Sequence, residues 1–294
     1  MAYRLGMLII SLALASGAPA KRLESGAAGG AGTAGLPTSD RFDARRGATE
    51  RIAPRAKSVV QNKRYGNAYR LLDDPLGIAS GSRFENIDAT VLRGGFRFKG
   101  DAHDIVIRNT TLRLAAPTAA PELPAGIELQ GNAHDILIDS VTASGFQMIH
   151  REKRYTNGDG FSSERGAARI IFRNSTANDN SDGGFDLKST DTRLENVSAA
   201  RNGINYRFWG TGTGTRITST DPAKAHLQIN PGADWHINTL VVRSTERKPI
   251  IVVHGQGQLT IDRCELHVPA GTKMIRLDAK VTPDIHLGTG CTLP

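Results

Sequence analysis

The chain has few aromatic residues, few cysteines and no long hydrophobic run after its first twenty residues. Aromatic side chains make up 5% of its 294 residues, and only Cys264 and Cys291 are cysteines. Because no second apolar run is long enough to cross a bilayer, the sequence predicts no permanent membrane span. The cysteine spacing is not that of a zinc site, and it is compatible with one disulfide or with two buried thiols.

Residues 1–20, MAYRLGMLIISLALASGAPA, have the layout of a secretory signal peptide. A basic residue precedes a short apolar run, and small residues follow at two cleavage positions, after Ala15 and after Ala20. The sequence therefore predicts an exported protein, either secreted or periplasmic.

The next sixty residues fall into two segments. Residues 21–47 are rich in Gly and Ala and predict a flexible linker. Residues 48–80 are expected to form an N-terminal cap region, with a short capping helix over 48–64 that Pro54 interrupts. The main domain is expected over 81–294.

The formal net charge of +8 is unevenly distributed along the chain. Residues 21–70 carry 11 basic and 4 acidic side chains, whereas residues 71–294 carry 25 of each. Because the main domain is neutral and no recognition motif accompanies the basic arm, we expect no nucleic-acid partner.

A repeated unit begins near residue 95. Four segments align on a glycine, a short apolar strand, a turn and a second short strand: GFRFKGDAHDIVIRN (95–109), GIELQGNAHDILIDS (126–140), GFSSERGAARIIFRN (160–174) and GFDLKSTDTRLEN (184–196). No helical pattern fills the gaps between them, so crossover helices cannot join the strands. The repeat predicts an all-β, right-handed parallel β-helix of about eight coils.

Stacking of the coils brings three aspartates together. The alignment places Asp159 beside Gly183, and it places both Ser162 and Arg207 beside Asp186. Asp182 precedes the same strand, so we expect the three carboxylates and Arg207 to converge on one exterior patch. An inserted loop, 147–157, adjoins this patch and contributes four polar side chains: His150, Arg151, Lys153 and Arg154.

Three clustered carboxylates repel one another unless a cation or a proton compensates them. Oxygen ligands on irregular turns suit calcium, which makes Asp159, Asp182 and Asp186 candidate metal ligands. A plainer interpretation is that these aspartates only satisfy backbone groups at the corners of the coils.

The run DGF (159–161) followed by NSDGGFD (180–186) resembles the calcium-site signature of the polysaccharide lyase family nine pectate lyases. The resemblance implies calcium bound by Asp159, Asp182 and Asp186. Gly183 stands where the family has a further aspartate, and Arg207 falls where it has its catalytic lysine.

The resemblance implies a lyase that cleaves an acidic polysaccharide such as polygalacturonate by calcium-assisted β-elimination. Arg207 would be the base, while Lys188 and the loop 147–157 would bind substrate; a monomer is expected. Two alternatives remain open: a polygalacturonase-like hydrolase that uses paired aspartates such as Asp159 and Asp182, and a non-catalytic glycan-binding protein.

Overall fold

The computed structural model describes residues 51–119, 121, 123–149, 156–278 and 280–293, and this part of the chain is all-β. It contains nineteen strands. They are β1 (Val59–Asp74), β2 (Arg83–Phe98), β3 (His103–Leu114), β4 (Ala125–Leu129), β5 (His134–Ser144), β6 (Asp159–Ser163), β7 (Ala168–Arg173), β8 (Thr176–Asn178), β9 (Gly183–Leu187), β10 (Thr192–Glu195), β11 (Val197–Ala200), β12 (Ile204–Phe208), β13 (Thr211–Thr220), β14 (Ala225–Ile229), β15 (Asp234–Arg243), β16 (Ile251–Val253), β17 (Gln258–His267), β18 (Ile275–Leu277) and β19 (Asp284–Thr289).

All paired strands run parallel, and each pairs with strands of the coils before and after it. The strands β4, β6, β9, β12, β14, β16 and β18 follow one another along one face, which we call the site stack. The remaining strands from β3 to β19 form a longer stack, and β1 and β2 run through both. The chain is therefore a parallel β-helix, as the repeat predicted, and it has about nine turns where about eight coils were expected.

The interior is filled by columns of apolar side chains, because aligned residues of successive coils stack on one another. Phe161, Phe185 and Tyr206 occupy one column, with ring centroids 4.8 and 5.2 Å apart along it. Phe208 stacks on Trp235 at 4.1 Å. Such columns give each coil the apolar contact that it cannot make alone.

Asparagine occupies several of the tight corners, as the repeat suggested. Asn86, Asn109, Asn174 and Asn196 adopt positive φ angles between 47° and 56°. This left-handed conformation is tolerated by Asn because its short polar side chain bonds locally. The amide of Asn196 donates to Asn174 at 2.9 Å, so the corners are also linked from coil to coil.

The N-terminal boundary differs from the prediction. Residues 59–64 belong to β1, and no helix is found over the described part of 48–64. β1 pairs with β2 along its whole length, so the first coil lies inside the predicted cap region. Register shifts between Tyr65 and Arg70 make β1 irregular. They interrupt the alternation of inward and outward side chains by which a strand is recognised in a sequence.

Two further findings concern the cysteines and membrane spans. Cys264 of β17 and Cys291, which follows β19, form a disulfide, and this settles the alternative between a disulfide and two free thiols. Over the described ranges, no helix has the length and apolarity needed to cross a membrane. The predicted signal peptide and linker lie outside the described residues.

Candidate active site

The strand register at the site agrees with the alignment made from sequence. Phe161 pairs with Phe185 and Phe185 with Tyr206, which aligns Ser162, Asp186 and Arg207 on consecutive coils. These three side chains form an outward column on the site stack, because they alternate with the buried aromatic column. The predicted neighbourhood of Asp186 and Arg207 is therefore present in the fold.

Arg207 binds Asp182 more closely than it binds Asp186. Its two terminal nitrogens donate to the two carboxylate oxygens of Asp182, one of them over 3.0 Å. Nη1 of Arg207 also lies 3.6 Å from Oδ2 of Asp186. Burial by itself lowers the pKa of Arg207, but the hydrogen bonds that Arg207 donates to Asp182 and the charge of Asp186 outweigh burial, so the pKa is raised.

Asp186 lies at the centre of the cluster. Its Oδ1 accepts a hydrogen bond from the indole N–H of Trp209 at 2.7 Å, and its Oδ2 lies 3.7 Å from Nζ of Lys188. Burial raises the pKa of Asp186, although Arg207, Lys188 and Trp209 all favour the ionised form. Asp186 is thus a carboxyl group that faces both cations and an aromatic side chain.

Asp159 is buried like the other two aspartates. Its Oδ1 accepts a hydrogen bond from the backbone N–H of Gly183 at 2.7 Å. Burial, together with the charges of Asp186 and Asp182, raises the pKa of Asp159 well above its ordinary value. Of the carboxyl groups in this cluster, Asp159 is therefore the one whose neutral form is most favoured.

Lys188 lies beside the cluster as well. Its Nζ donates to Oε1 of Glu164 at 2.6 Å. Burial lowers the pKa of Lys188, but the charge of Asp186 and the bond to Glu164 outweigh burial and raise it. Lys188 is therefore held as a cation at the edge of the site.

The three aspartates do not occupy the positive-φ corners of the coils. None of them has a positive φ angle, whereas Asp104, Asp135, Asp179, Asp191 and Asp221 do. The interpretation that aspartate serves only the coil corners therefore applies to this second group. Asp159, Asp182 and Asp186 are instead buried, and each is at most 5% exposed.

A groove of about 760 Å³ runs across the site stack above this cluster. Trp209 lies in its wall two residues after Arg207, and it was not singled out from the sequence. The far half of the groove comes from coils in which the repeat is weakest, and it contributes Lys224, Gln228, His254, Arg276 and Asp278. Extending the Asp186 and Arg207 alignment by three further coils would have found Gln228, Val252 and Arg276, all of which line the groove.

Four predicted substrate-binding residues, His150, Arg151, Lys153 and Arg154, lie outside the described residues. Thr156, at the near edge of that segment, lines the groove.

The aspartates as arranged do not fit a calcium ion. Calcium needs six to eight oxygen ligands. Both oxygens of Asp182 accept from Arg207, one oxygen of Asp186 accepts from Trp209, and one of Asp159 accepts from Gly183. Within the described ranges, no group of three His, Cys, Asp or Glu side chains is disposed to hold a metal.

Comparison with protein-family models, with curated proteins and with solved structures finds no match to this chain. The β-helix is compatible with the fold that the resemblance implied, and the functional argument rests on the site itself.

Proposed function

We propose that the protein binds a glycan in this groove and cleaves a glycosidic bond with the carboxyl groups of Asp186 and Asp182. The observation that carries the proposal is the placement of both buried carboxyl groups in the lining of an open groove, beside Trp209. Paired carboxyl groups that flank a sugar linkage are the usual apparatus of glycoside hydrolysis.

The surroundings of the two groups support different roles. Burial raises the pKa of Asp186, which suits a general acid that protonates the leaving oxygen. Asp182 is fixed by two hydrogen bonds that Arg207 donates, and it lines the groove as the second carboxyl group, the one that would activate the attacking water. The raised pKa of Asp159 favours its neutral form, which limits the repulsion between the carboxyl groups.

The groove offers two kinds of contact for a sugar chain. Trp209 is half-buried, and its ring lines the wall where a sugar ring can pack. Lys224 also lines the groove and has no ion-pair partner among the described residues. An unpaired cation at this position favours an acidic glycan, which was the substrate class expected from the sequence.

The test is product analysis with purified full-length protein on polygalacturonate, alginate and neutral polysaccharides. Hydrolysis gives new reducing ends without the ultraviolet absorbance of an unsaturated sugar. Asp186→Asn should lower kcat by about a hundredfold or more, because it removes the proton donor. The matched control is Asp262→Asn, which changes an exposed aspartate on β17, outside the groove, and should leave kcat unchanged. Absence of product from every polymer would contradict the proposal.

Calcium-assisted β-elimination, which the resemblance implied, is the second candidate. It is favoured by the register that aligns Asp186 and Arg207 as in the family pattern. Against it stands the raised pKa of Arg207, which makes this side chain a poor base. Unsaturated products that form with calcium and do not form with a chelator would show elimination.

We also propose that the protein acts outside the cytoplasm. The N-terminal sequence pattern and the disulfide between Cys264 and Cys291 both support this, because disulfides persist mainly in oxidising compartments.

A further inference from the structure

The positive charge beside these three aspartates comes from the protein itself, from the side chain of Arg207. The Arg207 side chain is 11% exposed and lies against the carboxylates of Asp182 and Asp186, which are 6% exposed each. Its charge also acts on Asp159. A buried guanidinium so placed supplies a fixed positive charge among three carboxyl groups, and its planar fork matches the carboxylate of Asp182.

Gly183 completes the same arrangement. A Cβ atom at this position would lie 2.7 Å from Oδ1 of Asp159, closer than real contacts allow. The glycine therefore lets Asp159 approach the backbone N–H, which takes up one of its oxygens. A fourth carboxylate at 183 would displace Asp159 from this bond.

A metal ion and Arg207 would compete for the same oxygens. A calcium ion bound by the three aspartates would have to displace Arg207 from both oxygens of Asp182, and that would leave a buried guanidinium without its partner. Nε of Arg207 already has no hydrogen-bond partner among the described residues, so the side chain depends on its two terminal nitrogens.

We infer that Arg207 takes the place of a metal ion in this β-helix, so that the native site binds no calcium. With Arg207 present the carboxylates of Asp159, Asp182 and Asp186 are not placed to hold a metal, and removing Arg207 frees them to close around a divalent cation. The inference does not require that the groove cleave a glycan. Its test is made without substrate, so its failure and that of the proposed function are separate results.

The experiment compares thermal melting of the wild type and Arg207→Ala, with chelator and with millimolar calcium. The wild-type Tm should be the same in both. The variant should melt lower with chelator and regain roughly 5 °C or more once calcium exceeds its dissociation constant a hundredfold. The matched control is Arg201→Ala, which removes an exposed two-bond pair with Asp179 and should show no response to calcium.

A second readout is terbium luminescence. Because Trp209 bonds directly to Asp186, a terbium ion in the opened site should be sensitised by the indole, and the wild type should give no such signal. If Arg207→Ala does not fold, Arg207→Gln, which keeps most of the side-chain volume, is measured with the same expectations. A calcium-dependent rise in wild-type Tm, wild-type terbium luminescence, or a folded variant that ignores both ions would overturn the inference.

Discussion

At the residue scale, Gly183 shows how one missing side chain shapes the site. Gly183→Ala should lower the free energy of unfolding by about 1–3 kcal/mol, because its Cβ would push Asp159 off the backbone N–H. Urea unfolding measures the change. Gly66→Ala is the control, since nothing lies within 4 Å of a Cβ built there, and it should change stability by less than about 0.5 kcal/mol. Equal effects of the two substitutions would contradict this account of Gly183.

A buried histidine should make the stability of the protein depend on pH. Burial lowers the pKa of His226 to about 4, and its Nδ1 bonds to Ser219 at 2.8 Å. The unfolded chain binds a proton below about pH 6.5 while the folded chain stays neutral until about pH 4. The contribution of neutral His226 to the free energy of unfolding therefore has its full value above pH 6.5. About 3 kcal/mol of that free energy is lost as the pH falls from 6.5 to 4.

Unfolding free energies measured across this pH window test the expectation. His226→Asn should lose most of the acid-induced destabilisation, since asparagine does not titrate and already occupies the aligned position, 205, on the preceding coil. His286→Asn, which changes an exposed histidine of β19, should keep the wild-type pH profile. A pH profile for His226→Asn that parallels the wild type would show that another group is responsible.

At the scale of elements, the disulfide fastens the last coil to the one before it. Cys264 and Cys291 are 27 residues apart, so their link restricts a loop of that length in the unfolded chain. Replacing both by alanine should lower the free energy of unfolding by about 3.5 kcal/mol. Denaturant unfolding of the oxidised protein and of the double variant provides the comparison.

The double cysteine variant should begin to unfold at its last coil. Amides of β19 should exchange with solvent faster, while those of β9, which lies four coils earlier, should keep their protection. Faster exchange spread evenly over both strands would mean that the disulfide stabilises the solenoid as a whole rather than its end.

Elements also differ in how well the sequence predicted them. The coils from β4 to β12 were predictable because aligned glycines and apolar triplets repeat in parallel register. β1 was not, because its irregular register hides the alternation and its charged composition favours a helix locally. Trp209 and Lys224 were missed because the groove extends into coils where aligned positions share no residue type.

Side-chain reach limits sequence prediction in a further way. Stacking predicted Arg207 beside Asp186, and the backbones do pair there. The guanidinium nevertheless extends to Asp182, which precedes β9. The alignment of coils predicts where a Cα atom lies. It does not predict which partner a long side chain binds, because several lie within its reach.

At the scale of the whole molecule, stability is shared between neighbouring coils. Each coil packs its aromatic and aliphatic columns only on the coils before and after it, so a substitution should act on its own coil and the adjoining ones. The ion pair between Arg216 of β13 and Glu265 of β17 spans two coils, because β15 lies between these strands.

The spacing between coils determines what the site can be. Phe161, Phe185 and Tyr206 mark three consecutive turns, and the residues that follow them supply Ser162, Asp186 and Arg207. A gene that lost or duplicated one whole turn at this point would still encode a stackable solenoid, yet it would separate the aspartates from their arginine. Recombination in whole turns is thus a route by which one scaffold can gain or lose a reactive centre while its architecture persists.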